Sequence, residues 1–509
     1  MKRLVLSISS LLLVTACGAP KVASTGPAKV EIPAYDGMPP PKKKAAPARQ
    51  SPPPSGATKE SPFPKVARSK LANGLGLDVV TAKTLPLVNM RVVVKAGSAY
   101  GAAPGLGDLT AEMLKNGGTR ALASAELLRR VETLGSNLSI ATKADSTTIA
   151  LVVTKDKVAE GLSLLSQVVR EPRFDDGELK KYKTRLVDQT EDQLRSNGRF
   201  TAGWIAWNEL YGPTHPYAMR DALPAQIAKL GRAEVVAHHK KFFVPSNATL
   251  ILAGDVDEAQ AKDLAQKSFG AWTGGAAPKI DFAEPKAPDK TRVIVAHRPK
   301  SAQSDVFVVL LAPERQTKEW PRLRVATHVL GGGVASRLFG DVREQRSLAY
   351  AVSASISELA HGKQPLMLYA GTQSAKTTEA VSGLLENLDR MATSPPSAQE
   401  TETARRYLSD SFAIYMETVG AIASLVGTQE SLGLPDSYWD DYRREVRKTE
   451  AGDAAAASQL LFGGANERAL IVVSGDADAI GQDLTRFGEV TVVDPEKEFK
   501  PIKKLEAKK

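Results

Sequence analysis

Cysteine is nearly missing from this chain: one thiol, Cys17, serves 509 residues. No internal disulfide can form, and a single sulfur cannot build a thiolate-ligated metal centre. Histidine is also scarce, with six in all. His238 and His239 are adjacent and cannot share a helix face, while His215, His297, His328 and His361 are scattered singles. No two of them stand at the i, i+4 spacing that grips zinc, and each reads as a surface or loop histidine. The first apolar run, Leu4–Ala16, is 13 residues long, short of the roughly 20 that a membrane-spanning helix needs. Nor is there a basic stripe on the body. The surplus of +10 is concentrated in Lys2–Arg3, Lys21–Lys70 and Glu496–Lys509, so the body between is close to neutral. Flexible basic ends on a neutral body argue against nucleic-acid binding.

What is present begins with an address. Lys2-Arg3, the apolar run, and Val14-Thr15-Ala16-Cys17 form an export signal that ends in small residues before a cysteine. The pattern resembles a bacterial lipobox, which implies cleavage after residue 16 and a diacylglycerol on the Cys17 sulfur. Gly18 rather than Asp follows, which by that resemblance points to the outer membrane with the body in the periplasm. Residues 17–63 are rich in Pro, Ala and Lys, as in GMPPPKKKAAPARQSPPPSG. Such a segment cannot offset its conformational entropy by burying apolar surface and reads as a tether.

The body repeats itself. NATLILAGDVDEAQA (Asn247–Ala261) has a counterpart in NERALIVVSGDADAIG (Asn466–Gly481), each an apolar strand ending in Gly-Asp-x-Asp before a helical run. Upstream, MRVVVKAGS (Met90–Ser98) is echoed by DVFVVLLAP (Asp305–Pro313). These echoes predict two homologous α+β halves in tandem, residues 64–275 and 291–495, joined by a linker at 276–290 and followed by a basic tail at 496–509.

GLGDLTAEML (Gly105–Leu114) predicts a helix with Leu106, Leu109 and Met113 on its apolar side and Asp108 and Glu112 together on the other. The longer run VVVKAGSAYGAAPGLGDLTAEMLKNGGTR, with ELYGPTHPYAMRDA, FFVPSNATLILAGDVD and LGGGVASRLFGDVREQRSLAYAVSAS behind it, resembles the pitrilysin/insulinase metallopeptidases, mitochondrial processing peptidases among them. That resemblance implies two α/β-sandwich halves closing on a clamshell chamber. It also implies an H-x-x-E-H motif on this helix, two imidazoles for zinc and a glutamate base. Here the positions hold Asp108, Ala111 and Glu112, and the third-ligand position falls at Asp188. A methyl group cannot take a proton, and three carboxylates are hard donors that suit calcium or magnesium better than zinc.

The second half keeps more of the pattern. Arg343 and Tyr350, in VREQRSLAY, stand at the spacing of the Arg/Tyr pair with which family members meet substrate at the zinc. Gly331-Gly332-Gly333 resembles a short form of the glycine-rich loop of the non-catalytic processing-peptidase subunit. A helix stop accounts for it almost as well. The resemblance therefore implies a chain that binds no cofactor itself. It would bind an extended polypeptide and supply Arg343 and Tyr350 to a zinc-bearing H-x-x-E-H sister subunit. Two alternatives stay open: a non-enzymatic scaffold or peptide-binding lipoprotein, and an autonomous peptidase with an atypical carboxylate metal site.

Overall fold

The computed structural model describes residues 61–506; the signal segment, Cys17 and the tether up to residue 60 lie outside them. In the first half the apolar runs settle into β1 (Ala67–Lys70), β2 (Gly76–Thr81), β3 (Leu87–Val94), α1 (Leu106–Asn116), α2 (Ser124–Thr133), β4 (Ser139–Thr142), β5 (Thr147–Thr154), α3 (Val158–Arg170), α4 (Asp176–Ser196), α5 (Gly198–Tyr211), α6 (Pro224–Ala228), α7 (Arg232–Phe242), β6 (Ala248–Gly254) and α8 (Glu258–Phe269). The second half contains β7 (Arg292–His297), β8 (Gln303–Glu314), α9 (Trp320–Gly331), β9 (Ala349–Ile356), β10 (Lys363–Gln373), α10 (Thr377–Thr393), α11 (Ala398–Asp410), α12 (Phe412–Tyr415), α13 (Val419–Leu432), α14 (Tyr438–Lys448), α15 (Ala451–Phe462), β11 (Leu470–Gly475), α16 (Ala477–Leu484), β12 (Val490–Asp494) and β13 (Lys500–Leu505).

The duplication is plain in the sheets. The first runs β1-β2-β6-β3-β5-β4 and the second β13-β12-β7-β11-β8-β10-β9. Beneath the extra edge strands both read the same way. A parallel pair (β2 with β6, β7 with β11) is followed by three antiparallel pairings in the same order. Every residue of β6 and β11 is buried, because both faces of each sheet are covered. This is why these strands read as unbroken apolar runs rather than alternating ones.

One face of each sheet packs on helices of its own half, forming two large cores. The opposite faces are covered crosswise. Ala202, Ile205, Ala206 and Leu210 of α5 pack against Phe307, Val309, Leu470 and Val472 of the second sheet. Ile422, Ala423 and Val426 of α13 pack against Val93, Ile251 and Ala253 of the first. Each half thus lends a helix to the other.

Two expectations need correction at this level. The basic tail is not wholly flexible: β13 pairs antiparallel with β12, and Lys503 and Lys504 bind Asp478 and Glu489. Lysines on an edge strand hinder further strand pairing, so basic composition here marks an edge rather than disorder. The histidines are not uniformly superficial either. His215, His238 and His239 are buried, with His239 Nε2 2.8 Å from the Val169 carbonyl and His215 Nε2 2.9 Å from that of Ala283. Burial drives His238 and His239 down to about 4, so they are neutral packing groups.

Candidate functional site

Helix α1 begins at Gly105, whose φ of 78° is left-handed and whose Cβ position would lie 2.8 Å from the Ala222 side chain; both requirements select glycine. The helix buries Leu106, Leu109, Thr110, Ala111, Met113 and Leu114, which leaves Asp108 and Glu112 together on the half-buried side. Asn116 Nδ2 donates to Glu112 Oε2 at 2.9 Å, one turn on. Asp188 is on α4, which packs against α1, but its side chain is exposed.

These four positions do not fit zinc. They offer no imidazole or thiolate, and Ala111 places a methyl where a base would act. Nor are the carboxylates gathered for a harder ion. Among the described residues one trio of His, Asp and Glu has ligand atoms within 4.8 Å of one another, and it lies elsewhere: His297, Asp476 and Asp478. Its donors are already engaged. Ala477 N–H donates to His297 Nδ1 at 3.1 Å, Asp476 caps α16 and accepts from Lys300 N–H, and Asp478 pairs with Lys503 at 2.8 Å. The first Gly-Asp-x-Asp behaves alike, with Asp257 capping α8 and Asp255 paired to Lys155. The repeated acids are helix and loop anchors.

Asp108 faces a cavity of about 840 Å³ between the halves. Ser139, Ala141 and Thr142 of the edge strand β4 line it from the first half, and Glu358, Ser424 and Thr428 from the second. It adjoins a cavity of about 400 Å³ through their shared Trp207 and Asp221. That one adjoins a cavity of about 710 Å³ through Asn197, Arg199 and Tyr369. The three follow one another along α5 from the degenerate motif to Tyr350, which lines the last of them; we term this row of cavities the groove. Tyr350 is 54% exposed on the edge strand β9. Arg199 lies 4.2 Å over the Tyr369 ring beside it, and the Tyr369 hydroxyl donates to Asp305 at 2.7 Å.

Among the described residues no hydrogen bond, ion pair or cation–π contact joins Arg343 to Tyr350. Arg343 is on a short π-helical turn, Phe339–Gln345, its guanidinium 4.7 Å over the Phe339 ring and 3.7 Å from Glu344, and it lines none of the three cavities. Gly331 and Gly332 are explained by packing. A Cβ at Gly331 would lie 2.3 Å from the Ala354 backbone nitrogen, and one at Gly332 2.1 Å from the His328 ring. Gly333 has nothing within 4 Å of its Cβ position.

Sequence reading missed the cluster that ties the halves beside the groove. Tyr217 Oη donates to Asp145 Oδ1 at 2.7 Å, and Ala360 N–H reaches Asp145 Oδ2 at 3.0 Å. His361 N–H donates to Tyr217 Oη at 3.1 Å, and Tyr100 Oη lies 3.1 Å from His361 Nε2. Burial raises the pKa of Asp145 although the bond from Tyr217 opposes it. The linker closes over this cluster, with Phe282 stacked on His361 and packed on Tyr217 and Tyr100. The only trace in sequence is Pro216-Tyr217 in THPYAMRDA; its partners lie 72 and 144 residues away.

Comparison with known proteins gives this geometry its family. Residues 79–205 match the Insulinase (Peptidase family M16) family and residues 229–408 the Peptidase M16 inactive domain. A relative from Helicobacter pylori named "Non-peptidase homolog YmxG" is 23% identical over 349 residues, covering 68% of this chain and 78% of its own. The solved peptidase M16 inactive domain from Pseudomonas fluorescens superposes with a TM-score of 0.74 at 25% identity, covering 81% of this chain and 98% of that one. A chain of complex III2 from Candida albicans shares the fold with a TM-score of 0.69 at 13% identity, covering 83% and 100%. Two matched segments spanning more than half its length, with duplicated sheets of one topology around a shared groove and carboxylates where the zinc motif would stand, make this chain a member of the M16 insulinase family with an inactive site.

Proposed function

We propose that this chain is a polypeptide-binding subunit that does not cleave peptides alone and works beside a zinc-bearing sister chain of the same family. The observation that carries the reading is the combination on α1: the positions of ligands and base hold Asp108, Glu112 and a methyl, yet the first of them, Asp108, still lines a cavity between two halves. Loss of the general base alone removes roughly 10²–10⁴-fold in rate. The groove suits an extended chain, because β4 lines it as an edge strand and an edge can hydrogen-bond a guest backbone. Tyr350, exposed at the far end, is the group on this chain best placed to meet such a guest. Arg343 lines none of the three cavities, and in this reading it serves a substrate or centre on the sister chain. A thioether-linked lipid on Cys17 would hold the complex at the outer membrane.

Peptide hydrolysis by the purified chain, alone and with an H-x-x-E-H sister, tests this. The isolated chain should show no chelator-sensitive cleavage, and the mixture should. Tyr350→Phe, with Arg343→Ala as its companion, should lower kcat of the mixture while the two chains still associate. Zinc-dependent turnover by the isolated chain would end the reading, and unchanged turnover in both variants would favour a scaffold. Loss of the chain from the membrane fraction on Cys17→Ala checks the anchor.

A further inference from the structure

A fourth cavity, of about 440 Å³, lies within the second half between α9, α12 and α14. It shares Glu358 and Trp439 with the cavity that Asp108 faces, so the two adjoin. Its size falls within the roughly 300–1,000 Å³ of small-ligand sites. Aromatic rings, among them Phe412, Trp439 and Tyr442, form much of its wall.

Its charge is unbalanced. Arg315 and Arg324 both line it, and both lean on one carboxylate: Arg315 Nε is 3.1 Å from Glu358 Oε2, and Arg324 Nη1 is 3.6 Å from Glu358 Oε1. No other ion pair to either arginine is present among the described residues. Arg315 is 2% exposed, clamped between the Trp320 and Tyr438 rings at 4.4 and 4.7 Å, and it donates to the Tyr438 hydroxyl. One positive charge is therefore left over in a partly desolvated aromatic box, a setting in which a guanidinium binds a carboxylate strongly. His328 adds no charge, since burial and then the neighbouring Arg324 push it down to about 4. Tyr407, 53% exposed and stacked on His328 at 4.6 Å, and Tyr415, 56% exposed, also line the pocket and leave it a face toward solvent.

We infer that this pocket binds the C-terminal carboxylate of a peptide whose last side chain is aromatic or large and aliphatic, the rings taking the side chain and Arg324 with Arg315 taking the carboxylate. The inference rests on the groove being a polypeptide site and adds an end-reading function: a chain lying in the groove would be anchored by its terminus.

Titration of the full chain with acetyl-Ala-Ala-Phe as free acid and as amide decides it. The acid should bind about tenfold or more tightly than the amide, and Arg324→Gln should erase the difference. Acid binding should also raise the titration midpoint of His328, seen by its ring proton resonances, because an added anion offsets Arg324. Should Arg324→Gln fail to fold, the acid–amide comparison and the His328 shift, both on the unaltered chain, still decide. Equal binding of acid and amide, or an acid preference that survives Arg324→Gln, overturns the pocket. A longer unstructured peptide blocked at both ends separates the two readings. If it binds while acid and amide do not differ, only the terminal pocket falls; if no peptide binds, the groove reading falls as well.

Discussion

Asp78 is sensitive to a change of pH, because it is buried where the halves meet. Only 3% of it reaches solvent. Arg68 Nε is 3.7 Å away, Lys95 and Arg68 also serve Glu430, and Asp78 Oδ2 has no hydrogen-bond partner. Burial first, then the negative charges of Glu430 and Asp436, drive its pKa up to about 7, against the pull of Arg68 and Lys95. The sign follows from proton binding. Between the ordinary carboxylate range and about 7, the folded chain holds a proton that the unfolded chain has released. Stability therefore falls as pH rises through that window, by at most about 1.4 kcal/mol per pH unit, and levels off above it. Asp78→Asn should flatten this slope and leave the variant more stable than the unaltered chain above neutrality. Urea denaturation at several pH values measures it, and an unchanged slope would mean that Arg68 already neutralises the ionised group.

At the level of elements, local patterns carried far and long-range pairing did not. The helix at α1, the glycine stop after it, and the two strand–Gly-Asp-x-Asp–helix units were all legible, because each depends on neighbours within a few turns. The repeated order of strands follows from that duplication. The zinc-site loss was legible for the same reason, being a matter of which residues occupy one helix face. The crossed helices were not: nothing local in α5 says that Ile205 and Leu210 will meet Val472 rather than their own sheet. The edge strand β13 was hidden by its lysines, and the buried histidines by their rarity. The glycine run shows how such ambiguity resolves. Gly331→Ala would press a methyl to 2.3 Å from the Ala354 nitrogen, where the backbone of α9 and β9 cannot easily yield, and should cost about 1–3 kcal/mol. Gly333→Ala meets nothing within 4 Å and should fall within about 0.5 kcal/mol of the parent. Comparing the two by thermal unfolding tests whether the run serves packing. A large loss at Gly333 would contradict it.

At the scale of the whole molecule, the exchange of α5 and α13 makes the halves interdependent despite a linker that joins them only once. Removing the second half would bare the face of the first sheet formed by Val93, Ile251 and Ala253, all buried now under α13. It would also strip α5 of the apolar surface formed by Phe307, Val309 and Val472. Burial of apolar surface contributes roughly 25 cal/mol per Å², so an isolated half loses an appreciable part of a net stability that is only about 5–15 kcal/mol in typical domains. The Asp145–Tyr217–His361 contacts and the packed Phe282 add directional ties across the same seam. The body should therefore unfold in one cooperative transition. Residues 61–275 made alone should be aggregated or loosely packed, and should regain solubility when made together with 291–506. Scanning calorimetry of the intact chain and co-expression of the two pieces check this together. Two well-separated transitions, or a soluble and cooperatively folded first half, would show that the groove lies between independent domains free to part.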